Sequence, residues 1–172
     1  MEMQERIDVV NTDIMSMDAD TMANKYLTFS MDEDVYAIRI SYVREIIGYQ
    51  MITPVPNQVN YIKGVINLRG KIIPTMDIRM RFNKEAREYD DRTCIVVVNV
   101  DELAVGIVVD RVDEVMNLLP DEISKTPSFT SDIHEKYIEG IVKKDNHPIV
   151  LLDCKKIISS TDYDPFSGFR EE

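Results

Sequence analysis

Catalysis needs a nucleophile or base with an orienting partner, or a metal held by clustered ligands. Few residues of this 172-residue chain meet either condition. The two histidines are His134, in a polar stretch, and His147, just past Asp145-Asn146. A metal site can be written down from His134, Asp145, His147 and Cys154, but the spacing follows no recognised ligand pattern, and loop histidines are usually solvated. Asp77 and Asp153 both follow apolar runs and could form a carboxylate pair. An Asp just before Ile78-Arg79 or Cys154-Lys155 is also a natural N-cap for a following turn, and this is the stronger reading. Six glycines leave little room for a phosphate-cradling loop. Cys94 and Cys154 lie within or beside apolar runs, as small buried thiols of a reducing compartment do. No catalytic residue, cofactor or metal is expected.

One charged side chain stands apart. Arg69-Gly70 separates the apolar runs Val65 to Leu68 and Ile72 to Ile78, so YIKGVINLRGKIIPTMDIRMRF reads as a β-hairpin with an exposed Arg at its tip. Pro74 in the returning run cannot donate a ladder hydrogen bond, which predicts an edge or a bulge there.

The elements that must position this hairpin are set by the rest of the chain. Residues 1–24 carry scattered apolar positions among Asp and Glu and read as a flexible acidic arm, with a short docking helix as the alternative. From Lys25 the pattern becomes strand-like: Tyr26 to Phe29, an acidic turn at Asp32-Glu33-Asp34, then Val35 to Ile40. Ser41 could cap one helical turn over Tyr42 to Ile47, and Pro54 and Pro56 enforce an extended connection to the hairpin. Residues 83–92, NKEAREYDDR, form the best boundary. A helix is expected from Asp153 to Ile158, and 160–172 reads as a flexible acidic tail whose Tyr163, Phe166 and Phe169 could serve as a linear docking motif.

The two sides of the boundary repeat one another. Val43-Arg44-Glu45-Ile46 returns 69 positions later as Val112-Asp113-Glu114-Val115, and Tyr26 to Phe29 returns as Ile95 to Val98. Tyr61-Ile62-Lys63-Gly64 returns 76 positions later as Tyr137-Ile138-Glu139-Gly140, and Arg69-Gly70 falls on Asp145-Asn146, another pair that tolerates a left-handed backbone. Two copies of one β unit predict an all-β fold with minor helix. Each copy has about five strand candidates, so two small closed or nearly closed barrels are the economical architecture. The first spans approximately 25–82 and the second 93–153, with strand exchange between them left open. The groove between two such barrels would suit recognition.

Charge narrows the partners. A formal charge of -11 and a pI near 4.7 oppose binding to nucleic acid or an anionic membrane, whose phosphates demand Lys and Arg. No apolar run approaches the roughly 20 residues that cross a bilayer, and the N-terminus lacks the basic flank and apolar core of a signal peptide. A cytoplasmic protein, monomeric when isolated, is expected.

In combination, the hairpin, VREI, the GIVVDRVDEV run and YIEGIVKKDNHPIVLLD resemble the CheW family of bacterial chemotaxis coupling proteins, over about Lys25 to Ser159. The resemblance implies two five-stranded SH3-like barrels. It also implies an adaptor that joins chemoreceptor cytoplasmic tips to the regulatory domain of the histidine kinase CheA in membrane-associated arrays. Val43, Glu45, Gly64 and Arg69 match positions that in the family influence receptor binding or kinase coupling, and the family's receptor tip occupies the groove between barrels. Arg69 would then donate to a receptor carbonyl or carboxylate, or brace Glu45 internally. No phosphotransfer, ATP-binding or receiver segment is expected. The alternative is a small-ligand or metal-dependent enzyme using the same groove.

Overall fold

The structure, a computed structural model, describes residues 2–125 and 135–159. His134 and the aromatic residues of the tail lie outside them. In chain order the elements are α1 (Met3–Ser16), α2 (Ala19–Met22), β1 (Lys25–Met31), β2 (Asp34–Arg39), β3 (Val43–Gly48), β4 (Ile62–Leu68), β5 (Lys71–Asp77), α3 (Ile78–Arg81), β6 (Cys94–Val100), β7 (Leu103–Val109), β8 (Arg111–Asn117), β9 (Ile138–Lys144), β10 (His147–Leu152) and α4 (Cys154–Ile158).

These strands form two five-stranded sheets, ordered β8-β1-β2-β10-β9 and β3-β6-β7-β5-β4. The first two strands of each sequence copy therefore lie with the last three of the other copy, and neither barrel is a contiguous half of the chain. Duplicated positions pair identically. Tyr26 opposes Arg39 as Ile95 opposes Val108; Leu27 opposes Val115 as Val96 opposes Ile46; Val65 opposes Pro74 as Ile141 opposes Val150. The exchange is completed by two short parallel ladders, Ile149 to Leu151 on Val35 to Ala37 and Thr75 to Asp77 on Gly106 to Val108.

Several expectations are corrected. The stretch from Val43 is a strand: the helical turn shrinks to a 3-10 turn at Ile40–Tyr42, because Val43 and Ile46 bury against the core while β3 pairs along β6. The equivalent β8 is a strand for the same reason. Although β5 as a whole lies between β4 and β7, Pro74 itself sits on a locally free edge, as expected: the β7 ladder begins one residue later, at Thr75, so its missing N–H costs no ladder bond. The ladders do not close into complete barrels, leaving β3, β4, β8 and β9 as sheet ends. Residues 3–16 are not a flexible arm. Ile7, Val10 and Ile14, at helical spacing, are buried in the same core as both sheets.

The copies meet through charged side chains. Arg81 lies between the duplicated Tyr61 and Tyr137, its guanidinium carbon 4.6 and 4.8 Å from the two ring centroids, and its Nε donates to the Ile157 carbonyl at 2.9 Å. Ile157 is the duplicate of Arg81 itself, so equivalent positions face each other at the junction. Nearby, buried Arg79 donates to Asp32 at 2.8 and 3.2 Å and also to Asp110, which accepts from Arg87 at 3.0 Å and from the Asp32 backbone N–H at 2.7 Å. The Arg79 hydrogen bond holds the Asp32 carboxyl below the usual range. The duplicate of this pair is Lys155–Asp101, at 3.5 Å and well exposed.

The equivalent ion pairs differ in burial and should differ in weight. Arg79→Ala, which leaves two carboxylates without their shared cation, is expected to lower unfolding free energy by about 2 kcal/mol or more. Lys155→Ala should change it by less than about 1 kcal/mol. Urea denaturation of both variants checks the contrast.

Cys94 and Cys154 are fully buried, and burial pushes their thiols up to about 11 and about 12 from 9.0. The folded chain keeps these thiols protonated where the unfolded chain ionises them. Their contribution is therefore intact below pH 9 and lost as pH rises through 11 to 12. Burial of Tyr26 and Tyr42 acts in the same direction. The urea midpoint should fall above pH 9, and less steeply in a Cys94→Ala/Cys154→Ala double variant.

Candidate functional site

Val43 and Glu45 on β3 and Gly64 on β4 stand at opposite ends of the sheet ordered β3-β6-β7-β5-β4, and Arg69 lies in the turn between β4 and β5. Curling brings those ends together. The chain leaving β3 returns at Thr53, which exchanges two 2.9 Å backbone hydrogen bonds with Val65 of β4. Beyond this bridge Arg69 pairs directly with Glu45, so an ion pair crosses the seam that the ladder leaves open. In the other sheet Ser124 and Ile141 make the equivalent backbone bridge, but Glu45 and Arg69 are replaced by Glu114 and Asp145, and no cation stands at either position.

The hairpin turn explains where Arg69 points its charge from. Arg69 and Gly70 have φ of +50° and +84°, and the Asn67 side chain accepts from the Gly70 N–H at 2.9 Å. Both central residues are left-handed, as a two-residue turn between twisted strands requires. The Arg69 side chain remains 71% exposed while Glu45 is 20% exposed. Glu45 is thus the anchored partner, and the guanidinium projects with donors available to a carboxylate or carbonyl from another molecule. The pair is an internal brace in geometry, but its exposure makes it a weak source of stability.

The other two positions have different roles. Val43 is buried in the common core and opposes Val98 of β6. Gly64 is a backbone contact: at φ +144°, a Cβ there would lie 2.0 Å from the Thr53 carbonyl oxygen and 2.9 Å from the Pro54 Cα. Only glycine lets the Thr53-Pro54 segment approach β4 and close the seam.

Exposed apolar residues on this same sheet escaped sequence reasoning. Met51, in the connection after β3, is 86% exposed, Ile72 beside the hairpin turn 55%, and Tyr49 at the end of β3 40%. A signal was present in Ile72: in the run Ile72-Ile73 one of two successive β-branched residues must face away from the core. Tyr49 packs in a tilted arrangement, centroids 4.8 Å apart, on Tyr89, whose hydroxyl donates to Asp77 at 2.7 Å. Burial and the Asp77 carboxylate hold the Tyr89 phenol protonated far above its ordinary range. Asp77 also accepts from the Arg79 N–H at 2.9 Å, and Asp153 accepts from the Lys156 N–H at 3.2 Å, so both carboxylates cap helices instead of facing each other across a site. Among the described residues no three His, Cys, Asp or Glu side chains gather as metal ligands, and no helix is long and apolar enough to cross a membrane.

Gly64→Ala is expected to destabilise the fold by more than about 1 kcal/mol, because the added Cβ collides with backbone that cannot swing aside. Thermal or urea unfolding measures it, with Gly70→Ala, where the Cβ would enter open space, as the milder comparison.

The arrangement, a seam carrying one exposed cation with apolar side chains around it, suits recognition of another protein. Comparison with known proteins identifies the family. The CheW-like domain family matches residues 25–162. The chemotaxis protein CheW of Klebsiella aerogenes is 34% identical over 147 residues, covering 86% of this chain and 89% of its own. That of Bacillus subtilis is 33% identical over 134 residues, covering 78% and 86%. The crystal structure of the scaffolding protein TtCheW from Thermoanaerobacter tengcongensis superposes with a TM-score of 0.75 at 31% identity, covering 82% of this chain and 91% of that one. Sequence, duplicated topology and three-dimensional likeness converge, and the chain belongs to the CheW family.

Proposed function

We propose that this protein is a non-enzymatic chemotaxis scaffold that couples the cytoplasmic tips of chemoreceptors to the regulatory domain of the histidine kinase CheA. Family membership over residues 25–162 supports the scaffold role, and the names of these relatives lend nothing to the enzyme alternative. The observation that carries the residue-level reading is the Glu45–Arg69 pair: a carboxylate fixed on β3 presents a largely exposed guanidinium at the tip of the hairpin that also exposes Ile72. Charge and apolar surface side by side give a partner both orientation and desolvated contact. Val43 and Gly64 act through the fold, holding β3 against β6 and the Thr53 segment against β4. The working unit on this reading is 25–159, and the protein works in the cytoplasm at receptor arrays.

The test is co-elution of the full chain with a chemoreceptor cytoplasmic fragment and with the kinase's regulatory domain. Binding to neither overturns the proposal. Arg69→Ala should weaken one of these complexes by about ten-fold, the effect of one charge-assisted contact, with unfolding free energy changed by less than about 1 kcal/mol. Loss of stability with unchanged binding would leave Arg69 as a brace only.

A further inference from the structure

Helix α1 lies outside the residues that match the CheW-like domain, yet it is seated between the two sheets. It rests on β3, an end of one sheet, and on β8, an end of the other. These are duplicated strands, so one helix lies across two copies of the same edge. An edge strand has backbone groups with no ladder partner, and α1 supplies partners on both sides. The Asn11 amide brackets Ile46, donating to its carbonyl at 2.8 Å and accepting from its N–H at 2.8 Å. Arg6 donates to the Val112 carbonyl at 2.9 Å. Ile7, Val10 and Ile14 complete the contact as a buried stripe.

The helix itself is weakly built. Its N-cap side chain makes no hydrogen bond, no basic residue stands in its last turn, and fourteen residues are marginal alone in water. It also fills its seat incompletely. Val9 is half exposed, and a groove of about 520 Å³ runs between α1 and β8, lined in part by Val10, Asp13, Asp113, Glu114 and Val115. Asp13 near the helix C-terminus has the unfavourable sign for the dipole; it shares the groove with Asp113 and Glu114 but also with Arg6, and Asp113 is already paired with Arg111 at 3.2 Å.

We infer that α1 occludes the groove between β3 and β8, the inter-barrel groove that the adaptor reading assigns to the receptor tip, and that a receptor helix docks there by displacing it. The chemistry of the seat defines that partner. It is an amphipathic helix with apolar residues at i, i+3 and i+7, as Ile7, Val10 and Ile14 provide, and an Asn or Gln at i+4 to bracket Ile46. At i+6, where α1 places Asp13 near its C-terminus, a Lys or Arg would have the favourable sign for the helix dipole. That the groove takes a receptor helix rests on the adaptor reading; that α1 must leave for it is the inference added here.

The experiment uses the full chain with Val10→Asp, which unseats α1, and a fluorescent peptide of residues 3–16. The peptide should bind the variant at least ten-fold more tightly than it binds the unaltered protein, where the tethered helix competes at high effective concentration. A peptide carrying Asp13→Lys should bind more tightly again. A chemoreceptor cytoplasmic fragment should bind the variant at least five-fold more tightly than the unaltered protein and should displace the peptide. In the unaltered protein, saturation with that fragment should strip hydrogen-exchange protection from 3–16. If Val10→Asp prevents folding, Asn11→Ala, which removes only the bracket on Ile46, takes its place. Failure of the peptide to bind either variant overturns the cleft, and a receptor complex in which 3–16 stays protected overturns displacement. If the peptide binds but the fragment binds neither protein, the cleft stands and the adaptor reading falls.

Discussion

Two parallel ladders of three residue pairs each, β2 with β10 and β5 with β7, are the constraint on which the architecture depends. Each joins a strand of the first sequence copy to a strand of the second. Remove them and each sheet falls into a three-stranded piece and a two-stranded hairpin, the latter marginal in water. Packing at this joint is close: a Cβ on Gly106 would come within 2.9 Å of the Ile95 side chain and 3.1 Å of Thr75 Oγ1. Because the joined strands are far apart in the chain, neither sheet is complete without strands of both copies, and stability is shared across the duplication instead of residing in two separable halves of the sequence.

The strands were legible because side-chain burial leaves a repeating apolar trace, and the duplication was legible because that trace recurs. Which strand joins which sheet was not. Identical registers in the two copies mean that pairing within a copy and pairing between copies present the same neighbours to every residue. No local pattern separates the two. The VREI segment misled for a related reason: on an edge strand such as β3, one flank lacks a ladder, and the apolar spacing of Val43 and Ile46 is also helical. In α1 the stripe is present but diluted by Val9 among acidic residues, and the surface that makes it a helix exists only once both sheets have formed. Arg69 could be picked out from its turn. Its pairing with Glu45 could not, since it depends on how far the sheet curls.

Equal backbones carry unequal chemistry. Arg79–Asp32 and Lys155–Asp101 occupy the same place in the two copies, yet one cation is buried among carboxylates and the other is exposed. Glu45 and Arg69 pair across one seam, while their duplicates are both acidic. The shared backbone supplies position, and divergence at a handful of charged sites supplies two distinguishable faces. That division suits a scaffold, whose specificity is a difference between affinities for partners.

The seat of α1 has a geometric consequence of its own. Exchanging the two copies carries β3 onto β8 and Ile46 onto Val115, so the backbone offers a helix two opposite directions of travel across the same ground. Nothing in the strand edges chooses between them. The choice is made by the visitor's side chains, here by Asn11 reaching Ile46 and Arg6 reaching Val112. The molecule thus reads polarity from its guest, and a chain entering the cleft is told head from tail by where along its length it carries an amide and a guanidinium.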